Sequence, residues 1–276
     1  DMPGANMRRR KKDLAVKKDL AVKKDLAVNC TEVVAFLHTR GLTWGDCAPS
    51  NFVEFGSRYK AIDFGSAALL QPQDPGQEEH LPTELQPEDP VQERYCAPER
   101  YADRKNGEST EPSEALDTWS LGCIIFEIFT GEPFMSGPDG ENSSSFLDSH
   151  LVEFDGDRYV PSCQLLDYAK DKLDEASKAG VPHAVLGILQ RMLHVQPALR
   201  PGARELLAEG GYFSSEGSKS LYRAGRCDRR IDQRLIPFLK NKGAPLPDIC
   251  RVEVHRGHYL KLTKRVVVVF PSPAGI

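Results

Sequence analysis

Apolar positions recur at helical spacing in several stretches of the chain. Leu26, Cys30, Val33, Val34 and Leu37 fall at i, i+4, i+7, i+8 and i+11, which predicts a helix with one buried face ending near Gly41. Within 115–134, Leu121, Ile124, Ile125, Ile128 and Phe129 repeat the pattern, and Cys123 and Phe126 widen it. A helix apolar on most sides is a buried one. Residues 163–179 predict a charged amphipathic helix, 183–194 a more buried one, and 203–213 a last. Residues 52–55 and 59–62 read as short strands around a turn at 56–58, a hairpin. Residues 135–160 are rich in Gly, Ser and Asp and predict a loop. In the tail, alternation from Cys250 to Val254 and apolar runs at 259–262 and 266–270 predict strands.

Other segments carry no such period. Residues 11–28 are three copies of KKDLAV, and a six-residue repeat turns Leu14, Leu20 and Leu26 about 240° apart on a helix, so they form no stripe. This reads as a basic, marginally helical arm, solvated or fused onto the next helix. Residues 71–93 hold seven acidic residues and five prolines with no Lys or Arg, a composition that predicts a mobile segment, with Thr83 its only hydroxyl-bearing Ser or Thr.

Charge is unevenly spread. The total is −4, but residues 1–28 carry +5 and residues 221–276 carry +8, leaving −17 between them. Acidic core and basic ends bear on solubility and partners, not on fold. Nothing in the pattern is a specific nucleic-acid signal. The seven cysteines show no C-x-x-C and no paired spacing, which reads as reduced thiols in an intracellular, cytoplasmic protein. No apolar run approaches the ~20 residues of a membrane span.

The candidate chemistry lies in residues 42–65, LTWGDCAPSNFVEFGSRYKAIDFG. Asp46 precedes Asn51 by five residues, and Asp63-Phe64-Gly65 begins twelve residues after Asn51. The intervening hairpin would bring both acids to one edge. One carboxylate and one amide oxygen are hard ligands suited to a divalent ion bridging phosphates, and Asp46 is placed as a base or aligner for a hydroxyl. Farther on come Ala97-Pro98-Glu99, then Asp117 in D-x-W-S-x-G at the head of the apolar helix, then Arg200 in HVQPALRP. A buried Glu needs a bidentate donor, and Arg is the residue suited to it.

Together these motifs resemble the eukaryotic protein kinase superfamily over roughly residues 29–213. The resemblance implies an α+β fold: a mainly α-helical protein-kinase C-lobe with a short β-hairpin at the catalytic loop, plus a small β-rich C-terminal tail. It divides the chain into a basic arm (1–28), the C-lobe (29–213) and a basic tail or partial β-rich domain (214–276). It makes Asp46 the catalytic-loop Asp, Asn51 and Asp63 the ligands of Mg²⁺ and ATP, and Phe64 and Gly65 the rest of the DFG motif. Ala97, Pro98, Glu99, Asp117 and Arg200 become structural motif residues, with Glu99 and Arg200 expected to pair as a buried ion pair and Asp117 expected to bond the catalytic-loop backbone.

The departures are specific. Trp44-Gly45 replace the usual His-Arg before the Asp, and Ala48 replaces a Lys that contacts the transferring phosphate in Ser/Thr kinases. The substitution Ala48→Lys is therefore expected to raise the rate. No Lys or Arg lies from 41 to 57. No Arg stands near Ala48 and Ser50 as in tyrosine kinases, which favours Ser/Thr. Fewer than 30 residues precede the first periodic helix, with one Gly and no V-A-I-K-like strand, so an N-lobe partner from a longer protein is expected. The implied activity is transfer of phosphate from ATP to a protein Ser/Thr hydroxyl. The alternatives are a pseudokinase scaffold and a small-molecule phosphotransferase, whose loop shares Gly45-Asp46 and Asn51.

Overall fold

The computed structural model describes residues 20–55, 58–70, 84–89, 91–137, 144–208, 213, 251–256 and 264–269. Helix α1 (Leu20–Thr39) crosses position 28 without a break, so the second half of the repeat region is one helix with the 29–39 segment. The identical triplets of two copies meet different surroundings: Leu20 is 46% exposed while Leu26 is 3% exposed. That difference is the 240° step made visible. Cys30, Val34 and Leu37 complete the buried face, with Val33 at its margin. Residues 1–19, which include repeat residues 11–19, lie outside the described residues.

After α1 the chain forms β1 (Leu42–Thr43), a 3₁₀ turn (Pro49–Asn51), β2 (Phe52–Phe55), β3 (Arg58–Ala61) and β4 (Ala68–Leu69). Strands β2 and β3 pair antiparallel as expected, Phe52 opposite Ala61; the turn tip at 56–57 is outside the described residues. Strand β1 pairs with β4, so the backbone leaves and returns on either side of the hairpin and closes a loop around Asp46 and Asp63.

Helix α2 (Pro98–Asn106) starts with Pro in its first turn and ends at Gly107, in the left-handed region with φ 71°. Helix α3 (Glu114–Thr130) is the molecule's axis, with Leu121, Cys123, Ile124, Ile125, Phe126, Ile128 and Phe129 all buried. Each large apolar side chain so buried contributes about 1.5–3 kcal/mol of transfer free energy. It packs against α1 and against α6 (His183–Met192). Gly122 allows that contact: a Cβ there would sit 3.0 Å from Leu193 Cδ2 and 3.1 Å from Met192 Cβ. The helix stops at Gly131, and Phe134 folds back edge-on to Trp119 and Phe126.

The stretch 135–160 is not a loop throughout. It contains α4 (Ser144–Leu151) and a hairpin of β5 (Val152–Asp155) and β6 (Arg158–Pro161). Leu147, Leu151 and Val152 are buried, and Asn106 exchanges two hydrogen bonds with the Tyr159 backbone at 2.8 and 2.9 Å, capping the hairpin edge onto α2. Helix α5 (Leu165–Lys178) and α6 follow near their expected bounds, and α7 (Ala203–Ala208) begins where expected; residues 209–212 of the expected 203–213 helix lie outside the described residues.

The acidic stretch 71–93 also differs from expectation where it is described. Leu85 is 1% exposed and exchanges backbone hydrogen bonds with Thr110, and Arg104 donates to the Asp89 carbonyl at 2.6 Å. One buried leucine and a helix-borne arginine suffice to seat residues 84–89; Thr83 and the rest of 71–83 lie outside the described residues. In the tail, β7 (Arg251–Arg256) pairs antiparallel with β8 (Lys264–Val269). The strand expected at 259–262 lies outside the described residues.

Candidate active site

The hairpin register builds the site. The Ile62 N–H donates to the Asn51 carbonyl at 2.9 Å, which extends the β2–β3 ladder and sets Asn51 and Asp63 at the same end. Asn51 Nδ2 then donates at 2.8 Å both to the Asp46 carbonyl and to Asp46 Oδ2. That leaves the Asn51 Oδ1 as an acceptor, touched by the Ser50 hydroxyl at 3.4 Å. Asp63 has φ 63°, a backbone state that is costly for a non-glycine residue and typical of functional sites. Its Oδ1 accepts from the Gly65 N–H at 3.4 Å.

The second Asp46 oxygen accepts from the Gln92 N–H at 2.9 Å, and the Gln92 side-chain amide reaches the Ser50 hydroxyl. Burial raises the Asp46 pKa above the ordinary carboxylate range; the bonds from Gln92 and Asn51 and the Arg100 charge pull it down, and the Asp63 charge pushes it up. Each carboxylate oxygen still has a lone pair for a further donor.

The loop is held from below by Asp117 at the head of α3. Its Oδ2 accepts from the Trp44 N–H at 2.7 Å and the Thr43 hydroxyl at 3.0 Å, and its Oδ1 from the Gly45 N–H at 3.0 Å. His38, buried on α1, lies with Nε2 3.0 Å from Asp117 Oδ2 and Nδ1 3.6 Å from Glu114. Burial pushes its pKa down, but hydrogen bonds and charges of Asp117 and Glu114 outweigh that and raise it to about 9. Trp44 occupies the position before Gly45, fully buried, donating its ring N–H to the Asp63 carbonyl at 2.9 Å and stacking on Phe64 with centroids 6.1 Å apart. A single large ring thus ties the Asp46 loop to the DFG segment. Ala48 is also fully buried.

Glu99 and Arg200 meet as a fork: Nη1 to Oε1 at 2.6 Å and Nη2 to Oε2 at 2.9 Å. Arg200 also donates to the carbonyls of His194, Ala115 and Val195 at 2.7, 3.1 and 3.0 Å, and its guanidinium lies 5.1 Å over the Trp119 ring. Ala97 and Pro98 open α2 and are buried beside this pair. Phe64 is partly buried against the core, and Gly65 leaves room beside Asp63 Oδ1, 3.4 Å from where a Cβ would stand.

The protein kinase domain family profile matches residues 4–210. The chain belongs to the protein kinase family. It is 28% identical over 194 residues to the CTD kinase subunit alpha of Schizosaccharomyces pombe, covering 67% of this chain and 30% of that protein. It is 34% identical over 112 residues to the dual specificity protein kinase TTK of Mus musculus, covering 38% of this chain and 12% of that protein. It is 24% identical over 194 residues to cyclin-dependent kinase-like 2 of Homo sapiens, 67% of this chain and 36% of that protein. The matched segments span about a third or less of these relatives. Protein kinases in general use ATP with Mg²⁺ and act on proteins.

The residues here fit that ion. Among the described residues no group of three or more His, Cys, Asp or Glu is gathered for a metal. Mg²⁺ asks for less: one or two carboxylates or amide oxygens, with water and phosphate as its other ligands. The Asp63 carboxylate, with one long hydrogen bond from Gly65, and Asn51 Oδ1 fit that requirement. Several contributors carried no sequence signal. Gln92 and Ser50 sit in polar runs, and His38 stands on an apolar helix face where a partner in Asp117 was the only clue. Among the described residues no helix is long and apolar enough to cross a membrane.

Proposed function

We propose that this chain is the catalytic C-lobe of a protein Ser/Thr kinase that works with an N-lobe. The observation that carries the reading is the hydrogen-bonded unit of Asp46, Asn51 and Gln92, set beside an open Asp63 carboxylate. Asp63 and Asn51 would hold Mg²⁺, which when bound neutralises phosphate charge. Asp46, fixed at both oxygens, aligns a hydroxyl and accepts its proton. Asn51 orients Asp46 through its amide and offers its carbonyl to the ion. Asp117 anchors the loop, and the Glu99–Arg200 fork anchors the segment that would carry the protein substrate. This fork and the buried head of α3 favour a protein acceptor over a small molecule.

A pseudokinase scaffold is the second reading, favoured by buried Ala48 and by the lack of any Lys or Arg from 41 to 57. The test joins the chain to a kinase N-lobe and supplies radiolabelled ATP with a mixed protein substrate, followed by phosphoamino-acid separation. Label on serine or threonine is expected. Label on tyrosine alone overturns the specificity, and label on none favours the scaffold.

A further inference from the structure

The catalytic loop has no cation of its own in sequence, yet one reaches it from α2. Arg100 follows Glu99 directly and is 1% exposed, one of the largest fully buried side chains in the molecule. Its Nη1 donates to the Gly45 carbonyl, while its Nε and Nη2 find no hydrogen-bond partner among the described residues. A buried guanidinium left partly unbonded is an expensive arrangement, and such groups gather at functional sites.

Gly45 is built to receive it. Its φ is +75°, and a Cβ there would stand 3.2 Å from Arg100 Nη1 and inside van der Waals contact of the Ser66 carbonyl oxygen. Any other residue at 45 would therefore crowd the guanidinium out. The Gly45 N–H is already held by Asp117 Oδ1 at 3.0 Å. The residue before Asp46 is thus gripped on both sides, its N–H by a carboxylate of α3 and its C=O by a guanidinium of α2.

We propose that Arg100 is a positioning residue that fixes the Gly45–Asp46 peptide and supplies the catalytic loop's missing positive charge, from the helix that opens with the Ala97-Pro98-Glu99 motif. This rests on the reading of Asp46 as the hydroxyl-aligning residue. It makes Gly45 and Arg100 a matched pair: the side chain removed from the loop leaves the space through which α2 delivers a cation. Because Glu99, the preceding residue, is fixed by Arg200, the arrival of α2 and the setting of Asp46 become one event.

The test is residue-resolved amide hydrogen exchange on the full chain and its Arg100→Lys and Arg100→Ala variants. The Gly45 and Asp46 amides of Arg100→Ala are expected to exchange at least about tenfold faster, with α3 amides at 121–125 unchanged. Methylguanidinium added to Arg100→Ala is expected to restore protection at 45 and 46, and Arg100→Lys to restore it in part. Uniform loss of protection, or loss that methylguanidinium does not repair, makes Arg100 a packing strut and overturns the proposal. If Arg100→Ala fails to fold, Arg100→Lys decides alone: selective loss at 45 and 46 supports the proposal and wild-type exchange overturns it. Exchange is read without phosphate transfer, so a failed transfer assay would remove the catalytic reading and leave this result standing.

Discussion

Replacing Arg200 by Met removes a fully bonded guanidinium. All five guanidinium N–H groups are used: two on Glu99 and three on the carbonyls of His194, Ala115 and Val195. The Arg200 side chain is fully shielded while that of Glu99 is 19% exposed, so the two partners respond differently to losing each other. In Arg200→Met the Glu99 carboxylate recovers some water, but three partly buried carbonyls lose their donor. The expected loss is about 3–5 kcal/mol. Glu99→Gln keeps the shape and strands the cation, with an expected loss of about 1.5–3 kcal/mol. Arg200→Lys keeps charge without the fork and is expected to recover little, because a point ammonium cannot reach both carboxylate oxygens and three carbonyls. The assay is urea unfolding of the full chain by circular dichroism, run as a double-mutant cycle with Glu99→Ala. A loss under about 1 kcal/mol for Arg200→Met, or simple additivity in the cycle, would refute the reasoning.

Three further outcomes are expected. His38 has its pKa raised from 6.5 to about 9, so the stability it adds is complete below pH 6.5 and is lost as pH rises through 9. The amount is roughly 3 kcal/mol. Unfolding measured from pH 6 to 8 should show the first part of that decline in the wild type and not in His38→Gln; from about pH 8.5 the thiols of Cys47, Cys96 and Cys123, whose pKa burial raises, add a decline of their own to both proteins. Gly45→Ala is expected to cost more than about 2 kcal/mol in the same assay, since it combines a left-handed backbone with a clash at Ser66. Ala48→Lys reverses the expectation drawn from the resemblance: Ala48 is fully buried, so the lysine is expected to destabilise by at least about 2 kcal/mol and to bring no gain in rate.

The long helices were legible because α1, α3, α5 and α6 carry apolar faces over ten or more residues, enough for the 3.6-residue period to stand out. The meeting of Glu99 with Arg200 was legible through the resemblance, which pairs the A-P-E glutamate with this arginine; Glu99 keeps 19% of its side chain exposed. The helix α4 and hairpin β5–β6 were missed because eight residues of SSFLDSHL give barely two turns of pattern. The hairpin did leave a signal, Asp155-Gly156 between the alternating runs 152–154 and 158–160. Composition misled at 84–89, where buried Leu85 and its backbone bonds to Thr110 seat a segment whose Glu84 and Glu88 are exposed. Arg100 was invisible for a different reason. In PERYADRKN it stands among charged residues and reads as a solvated face, and only the fold brings it to Gly45.

The central claim is that Asp46, Asn51 and Asp63 act together on a phosphate and a hydroxyl. Its most direct measurement is radiolabelled phosphate transfer by the chain joined to an N-lobe, beside Asp46→Asn and Asp63→Ala in the same frame. The account predicts slow transfer that falls by about 10²–10⁴-fold in Asp46→Asn, the usual contribution of a general base, and disappears in Asp63→Ala. Transfer by the joined protein no greater than by either variant contradicts it and leaves a kinase fold that binds without catalysing.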